Sequence, residues 1–338
     1  MVRNRGKRRV LVTGAGGFIG HHLVKALKGR GNWVRAVDVK EPLFERSTAD
    51  EFLVADIRST KTCDDAVKGI EDVYALAADM GGIGYISENH ASLTRNNILM
   101  NANTLDASHR AGVERYLYSS SACVYPRFRQ DEEIQSPLKE SDAIPADPEK
   151  GYGWEKLFSE QLAMYYHDDY GLDIRIVRFH NIYGPLTLFE GGREKAPAAI
   201  CRKVAEAKDG STIEIWGDGR QTRSFCFIDD CVEGVLRLME SGYREPINLG
   251  TRELVTINEL VDMICQIAGK RLAKIYDPTK PQGVRGRNSD NTLVREILNW
   301  EPKTPLRIGL SKTYQWIWNE LARNGRCQPP EPVQVAAE

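Results

Sequence analysis

The sequence lacks the features that mark membrane, disulfide-bonded and zinc-binding proteins. No apolar run approaches the ~20 residues of a membrane span, and the basic segment Met1 to Arg9 has no apolar signal-peptide core. The 7 cysteines are scattered and form no CxxC pair, which excludes a zinc site and suits reduced thiols in a cytoplasmic protein. Neither His21-His22 nor His180 has a carboxylate–histidine spacing, so we expect no metal site.

Charge of either sign is not in excess, and there is no internal repeat or low-complexity tract. With 46 basic and 47 acidic residues the formal net charge is −1, which argues against a broad nucleic-acid or membrane surface. A hydrophobic content of 41% over 338 residues is enough for a core, so whole-chain disorder is excluded. The length predicts one large domain or two coupled domains.

Short β-branched runs alternate with helical stretches along the first half of the chain. The predicted strands are Val10–Thr13, Trp33–Val37, Phe52–Val54, Val73–Ala77, Tyr116–Ser119 and Ile174–Phe179. Between them, Phe18–Lys28, Asn89–Ala111 and Trp154–Tyr170 carry apolar residues at helical spacing. This alternation predicts an α/β fold, a doubly wound parallel sheet of the Rossmann type with a smaller C-terminal lobe for the substrate.

The sequence of the second half of the chain predicts three helices and a short strand. Residues 229–240, 257–268 and 306–321 have helical patterns, and Ile247–Leu249 is a short strand. We therefore expect a nucleotide-binding domain over 1–180, to which 229–250 returns, and a substrate lobe formed by 181–228 and 251–325. Residues 326–338 are expected to be a tail.

A glycine-rich turn, Thr13-Gly14-Ala15-Gly16-Gly17-Phe18-Ile19-Gly20, follows the first strand and opens the first helix. Glycines there allow a tight turn and close approach to a pyrophosphate, which the helix N-terminus attracts. The alternative is a turn with a purely structural purpose. Asp38 ends the second strand, where a carboxylate accepts hydrogen bonds from a ribose diol and repels a 2′-phosphate, so NAD is favoured over NADP.

The third strand ends at Asp56-Ile57, which can flank adenine, although Asp56 equally fits a loop or a helix cap. Together, the residues predicted to hold NAD are Gly14, Gly16, Gly17, Phe18, Ile19, Gly20, Asp38, Asp56, Ile57, Ala77, Tyr152 and Lys156.

Tyr152 and Lys156 are spaced i, i+4, which places both side chains on one helix face. We expect the Lys156 ammonium to lower the pKa of the Tyr152 phenol and make it a proton acceptor. A serine run ends the preceding strand, and Ser121 can hydrogen-bond the oxygen that Tyr152 deprotonates. A second YxxxK match begins at Tyr276, but Pro278 disfavours a helix there. The other interpretation of Tyr152 is a packing residue.

These motifs together resemble the extended short-chain dehydrogenase/reductase superfamily of nucleotide-sugar epimerases and dehydratases. The segment Phe179–Pro185 is similar to the RxxNxYGP segment of that superfamily, in which the asparagine, here Asn181, contacts the substrate. The resemblance implies that a tightly held NAD takes a hydride from a sugar carbon and later returns it. It also implies a homodimer, paired through the helices at 89–111 and 154–170.

Four further segments, 77–82, 120–126, 191–197 and 283–290, are similar to the branch of the superfamily that inverts C3 and C5 of GDP-mannose. The resemblance implies that Tyr152 and Lys156 oxidise C4 with the help of Ser121, and that Cys123 and Lys195 are the acid/base pair. The substrate contacts that it implies are Gly81, Ser121, Ala122, Cys123, Asn181, Glu194, Lys195, Ala196, Lys203, Gln221, Thr222, Arg223 and Arg287.

The chemistry of a double inversion requires such residue types. A ketone at C4 acidifies the protons at C3 and C5, and inversion of a carbon requires a base on one face and an acid on the other. Burial and neighbouring groups can move the pKa values of a thiol and an ammonium towards neutrality. Most of the other cysteines are expected to be buried apolar residues, and Lys195 is otherwise an exposed loop charge.

Three alternatives stay open at this point. One is another NAD-dependent 4-epimerase, which needs no acid/base pair because the keto sugar only has to rotate. A second is a 4,6-dehydratase, which usually has an Asp-Glu pair where Ala122-Cys123 stands here. The third is a non-catalytic NAD-binding scaffold or redox sensor, against which the intact set of Ser121, Tyr152 and Lys156 argues.

Overall fold

The computed structural model describes residues 7–133 and 136–327. Its centre is a seven-stranded sheet in which all neighbours are parallel, in the order β11-β6-β5-β4-β1-β2-β3. The strands are β1 Arg9–Thr13, β2 Trp33–Asp38, β3 Glu51–Val54, β4 Asp72–Ala75, β5 Arg115–Ser121, β6 Asp173–Phe179 and β11 Pro246–Leu249. The prediction of a doubly wound α/β fold is confirmed, and β11 joins the edge of the sheet beside β6.

Helices cover both faces of this sheet. They are α1 Phe18–Gly29, α2 Thr60–Ala66, α3 Ile83–Glu88, α4 His90–Arg110, α5 Tyr152–Tyr170, α6 Ala196–Glu206, α7 Ile228–Glu240, α8 Ile257–Ala268, α9 Thr292–Leu298 and α10 Leu306–Arg323. Val10 and Val12 of β1 pack in the core that α1 and α7 cover, whereas Leu11 packs in the core on the other face, beneath α2, α4 and α5. Side chains alternate along a strand, so both faces of β1 are apolar and buried.

The remaining strands belong to small sheets near the C-terminal ends of the central strands. β7 Ile182–Tyr183 pairs with β10 Cys226–Phe227, and β8 Thr212–Trp216 pairs with β13 Ala273–Asp277. β9 Thr222–Ser224 lies between β12 Leu254–Thr256 and β14 Gly286–Arg287. Helices α6, α8 and α10 pack together against these strands. A capping box between Thr256 and Glu259 begins α8, which satisfies two backbone donors that the helix leaves free.

A buried ion pair ties β5, β6 and α5 together close to the serine run. The Arg178 guanidinium donates to both carboxylate oxygens of Glu160 at 2.9 and 2.7 Å, and the Ser120 hydroxyl donates to the same carboxylate at 2.5 Å. Arg178 also donates to the hydroxyl of Tyr125, which donates to Asn248 on β11. Every charge in this network has a partner, so it can stay buried and holds the ends of three strands in register.

The described helices are each too short or too polar to cross a bilayer. The predicted tail, 326–338, lies outside the described residues from 328 onward. Several elements had not been predicted, among them α2, α3, α6 and the small sheets. Their sequences are short, and their stability depends on packing against distant segments.

Candidate active site

A cavity of about 920 Å³ opens at the C-terminal ends of β1, β2, β4 and β5, between the central sheet and the small sheets. Ligands of open parallel sheets bind at this end of the strands, where the chain changes direction. The lining includes the glycine-rich turn, the ends of the central strands and residues from the second half of the chain, between 179 and 287. The volume suits a ligand larger than a single sugar.

The glycine-rich turn has the geometry of a cradle for a dinucleotide. Gly14 has a φ of +69°, and a Cβ at Gly16 would lie 2.1 Å from the carbonyl oxygen of Lys40. Gly16 donates its N–H to the Asp38 carboxylate at 3.0 Å, and burial raises the pKa of Asp38. The free N–H groups at the start of α1 face the cavity. The residues present therefore fit an NAD pyrophosphate at the turn and an adenosine ribose at Asp38.

Asp56 and Ile57 lie farther along the same half of the cavity. The Asp56 carboxylate accepts hydrogen bonds of 2.6 to 3.0 Å from the Arg58 guanidinium, which also donates to the Asn96 side chain. This hydrogen bonding lowers the pKa of Asp56. Asp56 is therefore an ionised, paired carboxylate at the cavity edge.

Tyr152 and Lys156 occupy the first two turns of α5, next to the end of β5. The Lys156 ammonium donates to the carbonyl of Ser119 at 3.1 Å and lies 5.5 Å from the centre of the Tyr152 ring. Tyr152 and Ser121 line the cavity, whereas Lys156 is buried behind them. The second YxxxK match does not form a helix, because Tyr276 lies at the end of β13 and Pro278 follows.

The expected lowering of the Tyr152 pKa by Lys156 is absent in this structure. Burial raises the pKa of Tyr152 well above its ordinary value, the Glu155 and Cys123 side chains raise it further, and only the Ser121 hydroxyl opposes them appreciably. Burial likewise lowers the pKa of Lys156, which Glu155 opposes. The local i, i+4 argument considered one neighbour and neglected desolvation, which dominates for two fully buried groups.

Glu155 was not predicted from the sequence, although it stands inside the Tyr152–Lys156 motif. Its carboxylate lies 3.8 Å from the Lys156 ammonium and accepts hydrogen bonds from Asn97 and Asn101 of α4, at 2.8 and 3.3 Å. The sequence signal for Glu155 is a charged residue on the buried face of a helix, because charged residues are rarely buried without a partner. Glu155 is the buried counterion of Lys156.

Cys123 follows the end of β5 in a short turn that begins at Ser121, whose hydroxyl accepts the Cys123 N–H at 3.2 Å. The Arg287 guanidinium donates to the Cys123 sulfur at 3.5 Å, and Gln130 holds the same guanidinium through a hydrogen bond. Burial raises the pKa of the Cys123 thiol, Glu149 raises it further, and Arg287 lowers it. Gln130 and Glu149 had not been predicted, because no local motif marks them.

Lys195 directly precedes α6 and lines the cavity. Burial lowers the pKa of its ammonium, and the nearby Cys123 opposes that shift. The structure therefore brings a thiol and an amine to one cavity, beside Tyr152. Lys203 lies farther along α6, and its ammonium nitrogen is 3.2 Å from a carboxylate oxygen of Glu214.

Gln221 and Arg223 precede and follow Thr222, the first residue of β9. Because side chains alternate along a strand, Gln221 and Arg223 lie on the opposite side from Thr222. Gln221 and Arg223 line the cavity, whereas the Thr222 hydroxyl donates to the carbonyl of Glu133 and is not among the lining residues. Arg223 is half-buried and forms no ion pair with a described carboxylate, although its guanidinium donates to the carbonyls of Thr222 and Gln282. Desolvation and Arg287 lower its pKa to about 9, and the charge of Glu149 opposes this shift. The buried Gln221 Oε1 also has no described partner. An anionic, hydrogen-bonding ligand would satisfy both groups.

The other predicted residues lie as follows. Asn181 lines the cavity with a φ of 44° and donates its amide to the carbonyl of Ser224 at 2.9 Å. The cavity lining also includes Gly14, Gly16, Gly17, Phe18, Ile19, Gly20, Ala77, Gly81, Ala122, Glu194, Ala196 and Arg287. Of the predicted site residues, Lys156 lies behind this lining and Thr222 faces away from it.

A parallel sheet with a glycine-rich dinucleotide cradle, and a serine, a tyrosine and a lysine beside it, defines an enzyme fold of the short-chain dehydrogenase/reductase kind. The chain belongs to the NAD dependent epimerase/dehydratase family, whose model matches residues 10–250. A GDP-mannose 3,5-epimerase of Arabidopsis thaliana is 48% identical over 317 residues, which are 93% of this chain and 83% of that protein.

Solved structures share the fold over nearly the whole chain. The UDP-glucose 4-epimerase of Thermotoga maritima with UDP-glucose has a TM-score of 0.83 at 27% identity, covering 93% of this chain and 99% of that one. The UDP-glucuronic acid 4-epimerase of Bacillus cereus, in complex with UDP-glucuronic acid and NAD, has a TM-score of 0.78 at 27% identity, covering 92% and 99%.

Proposed function

We propose that this protein is an isomerase that converts GDP-α-D-mannose into GDP-L-galactose by inverting C3 and C5, and into GDP-L-gulose when only C5 is inverted. The observation that carries this proposal is the meeting of Cys123 and Lys195 beside Tyr152 in one cavity. The 48% identity to a GDP-mannose 3,5-epimerase supports the same substrate.

NAD is the cofactor, and when bound it supplies the oxidant that takes the C4 hydride and the reductant that returns it. Gly14, Gly16 and Gly17 would hold its pyrophosphate, and Asp38 its adenosine ribose. Tyr152 accepts the proton of the C4 hydroxyl, with Ser121 hydrogen-bonded to the same oxygen. Tyr152 accepts the proton as a phenolate, and Lys156, fixed by Ser119 and Glu155, supplies the positive charge that favours this phenolate before the proton is transferred.

The 4-keto sugar is then inverted by the acid/base pair. One member of the pair removes a proton from C5 or C3 and leaves an enolate, whose oxygen accepts hydrogen bonds from Tyr152 and Ser121. The other member donates a proton to the opposite face, which inverts the carbon. The hydride finally returns to C4, so the reaction has no net redox change.

Arg223 lines the cavity and is suited to the diphosphate of the substrate. Its guanidinium forms no salt bridge with a described carboxylate, and a diphosphate would pair with it and with Arg287. We assign residues 181–228 and 251–325 to the nucleotide sugar on this basis, and residues 1–180 with 229–250 to NAD.

The test is NMR of GDP-mannose incubated with the purified protein in deuterated water, without added NAD. We expect deuterium at both C3 and C5 and the appearance of galacto and gulo products. GDP-mannose that stays unlabelled and unchanged would overturn the proposal. Turnover of UDP- or dTDP-hexoses instead would favour a 4-epimerase or a 4,6-dehydratase, and bound NAD with no sugar turnover would favour the scaffold.

We further propose that the protein is a homodimer that pairs through α4 and α5. Trp154, Phe158 and Tyr165 lie on the outer face of α5 with 50 to 56% of their surface exposed. A stripe of three large apolar residues at helical spacing on one helix indicates an interface rather than scattered surface residues.

Phe158→Glu is expected to convert the dimer into monomers, because it would bury a charge in the centre of the paired helices. Light scattering after size exclusion at micromolar concentration measures the mass. The matched control is Ile308→Glu, which changes an equally exposed apolar residue on α10 and should leave the dimer intact. A monomeric wild type, or a dimeric Phe158→Glu variant, would contradict this assembly.

We place the protein in a reducing compartment such as the cytoplasm. All 7 cysteines are free, and Cys123 in particular needs to stay reduced if it exchanges protons with the sugar.

A further inference from the structure

Two segments that line the cavity, one after β4 and one before α6, contact each other, and three side chains join them. We call this contact the clasp, formed by Asp79, Tyr85 and Arg193. The Arg193 guanidinium donates to the Asp79 carboxylate at 3.3 Å and lies 3.9 Å from the centre of the Tyr85 ring. The Tyr85 hydroxyl donates to the same Asp79 oxygen at 2.8 Å. The clasp joins the segment after β4 to the segment before α6.

The backbones of the two segments also touch. The N–H of Gly82 donates to the carbonyl of Arg193 at 3.1 Å. A Cβ at Gly82 would lie 2.5 Å from the carbonyl oxygen of Glu194, so only glycine allows the two chains to approach this closely. The contact is therefore a fitted junction between two segments of the backbone.

One side of the clasp is anchored to the rigid first domain. The second oxygen of the Asp79 carboxylate accepts a hydrogen bond from Asn96 of α4 at 3.0 Å. The backbone N–H of Asp79 donates to the Asn97 side chain at 2.6 Å, and the Asn97 amide donates back to the Asp79 carbonyl at 3.1 Å. Because α4 packs against α5, which carries Tyr152, Asp79 has a fixed position relative to the oxidising residues.

The other side of the clasp has the freedom to move. Gly191 and Gly192 have φ values of +94° and +83°, and a Cβ at either position would meet nothing within 4 Å. Two consecutive glycines in open space let the chain change direction at little cost. Arg193 follows them directly, and Lys195 comes two residues later at the start of α6. The position of Lys195 therefore depends on whether Arg193 is held.

We propose that Arg193 is a positioning residue, which through the clasp holds the segment 191–195 closed and keeps the Lys195 ammonium at its working place opposite Cys123. This inference rests on the proposed function, in which Lys195 exchanges protons with the sugar. Cys123 and Tyr152 belong to the first domain and do not depend on the clasp. The Arg193 side chain is 45% exposed, so its ion pair is weak enough to open for the substrate and the product.

Loss of the clasp should affect C4 oxidation and the inversions differently, and both steps can be measured in one sample. C4 oxidation is followed by the near-ultraviolet absorbance of reduced NAD after the protein is mixed with GDP-mannose, and the inversions by deuterium entry at C3 and C5. In Arg193→Ala, we expect deuterium entry to fall about 100-fold, the scale of a misplaced catalytic group. C4 oxidation should stay within a few-fold of the wild type.

A pH profile supplies a readout that a purely structural role would not move. Burial lowers the pKa of Lys195, so an open segment that admits water should raise it. In Arg193→Ala the limb of the exchange profile that belongs to Lys195 should therefore move to higher pH. Tyr85→Ala should behave similarly, and Tyr85→Phe, which keeps the ring under Arg193, should lose less.

The matched control is Arg237→Ala on α7, which removes an arginine of similar exposure that also pairs with a carboxylate and lies over an aromatic ring, outside the cavity lining. It should leave both steps unchanged. An Arg193→Ala variant that loses oxidation and exchange by the same factor, or loses neither, would overturn the inference. Absence of exchange in the wild type would instead overturn the proposed function, and the inference with it.

Discussion

Cys123→Ala is expected to abolish deuterium entry at C3 and C5 while C4 oxidation continues. The variant keeps Tyr152, Lys156 and Ser121, which act on C4, but leaves each inversion without one of its two proton-transfer groups. Loss of a positioned acid or base costs roughly 10²–10⁴-fold in rate. We expect reduced NAD to accumulate on the variant after it is mixed with GDP-mannose, because the inversions no longer follow the oxidation.

Two further variants sharpen this result. Cys123→Ser keeps the size of the side chain but replaces the thiol by a much weaker acid, so exchange should stay lost. Cys327→Ala removes a partly exposed cysteine in the C-terminal region and should exchange at the wild-type rate. Exchange at both carbons in Cys123→Ala, at a rate close to the wild type, would show that another group carries the protons.

The pH dependence of deuterium exchange follows from the pKa values of Cys123 and Lys195, which are shifted in opposite directions. Burial raises the pKa of Cys123 and lowers that of Lys195. Inversion needs one of these groups to accept a proton while the other donates one. The rate should therefore fall at low pH, where both are protonated, and at high pH, where both are deprotonated.

Tyr152→Phe is expected to have the other large effect, a loss of every step of the reaction. Without the phenolic oxygen, no group accepts the proton of the C4 hydroxyl, so hydride transfer should fall by about 10²–10⁴-fold. Exchange at C3 and C5 should fall by the same factor, because the protons there become acidic only once C4 is a ketone. Reduced NAD should not accumulate, in contrast to Cys123→Ala.

The matched control for this variant is Tyr276→Phe, which changes the tyrosine of the second YxxxK match. That residue lies at the end of β13 with its hydroxyl bonded to Asn258, so both rates should stay at the wild-type value. Deuterium entry into GDP-mannose at an undiminished rate in Tyr152→Phe would contradict a route through the C4 ketone.

Local sequence patterns were sufficient for the strands of the central sheet and for the three long helices of the first half of the chain, although not for the short α2 and α3. The run Val10–Thr13 with the glycines after it could only be a buried strand and a tight turn into a helix, because the periods of the two elements differ and glycine marks the turn. Tyr152 and Lys156 share a helix face for the same local reason. In the second half of the chain, α8 and α10 were predicted from their helical patterns, whereas α6 and β8 were not, since their short patterns depend on tertiary packing for stability.

Within the cavity, motif and resemblance led to the residues expected to carry the chemistry, but their environment came from the tertiary structure. Desolvation, a property of the folded interior, raises the pKa of Tyr152 where the local argument expected Lys156 to lower it. The direction in which Thr222 points follows from the pairing of β9 with its neighbours. The partners of Arg223, which are the carbonyls of Thr222 and Gln282, likewise follow from how distant segments pack.

The order of elements and the chemical groups available for catalysis can be read along the chain, because turns, helix faces and strand alternation are short-range properties. The clasp of Asp79, Tyr85 and Arg193 joins segments more than 100 residues apart (Arg193 and Asp79 differ by 114 positions). The surroundings of Cys123 likewise combine Gln130, Glu149 and Arg287. Distances and desolvation between such remote segments depend on how the whole chain packs, and only the tertiary structure decides them.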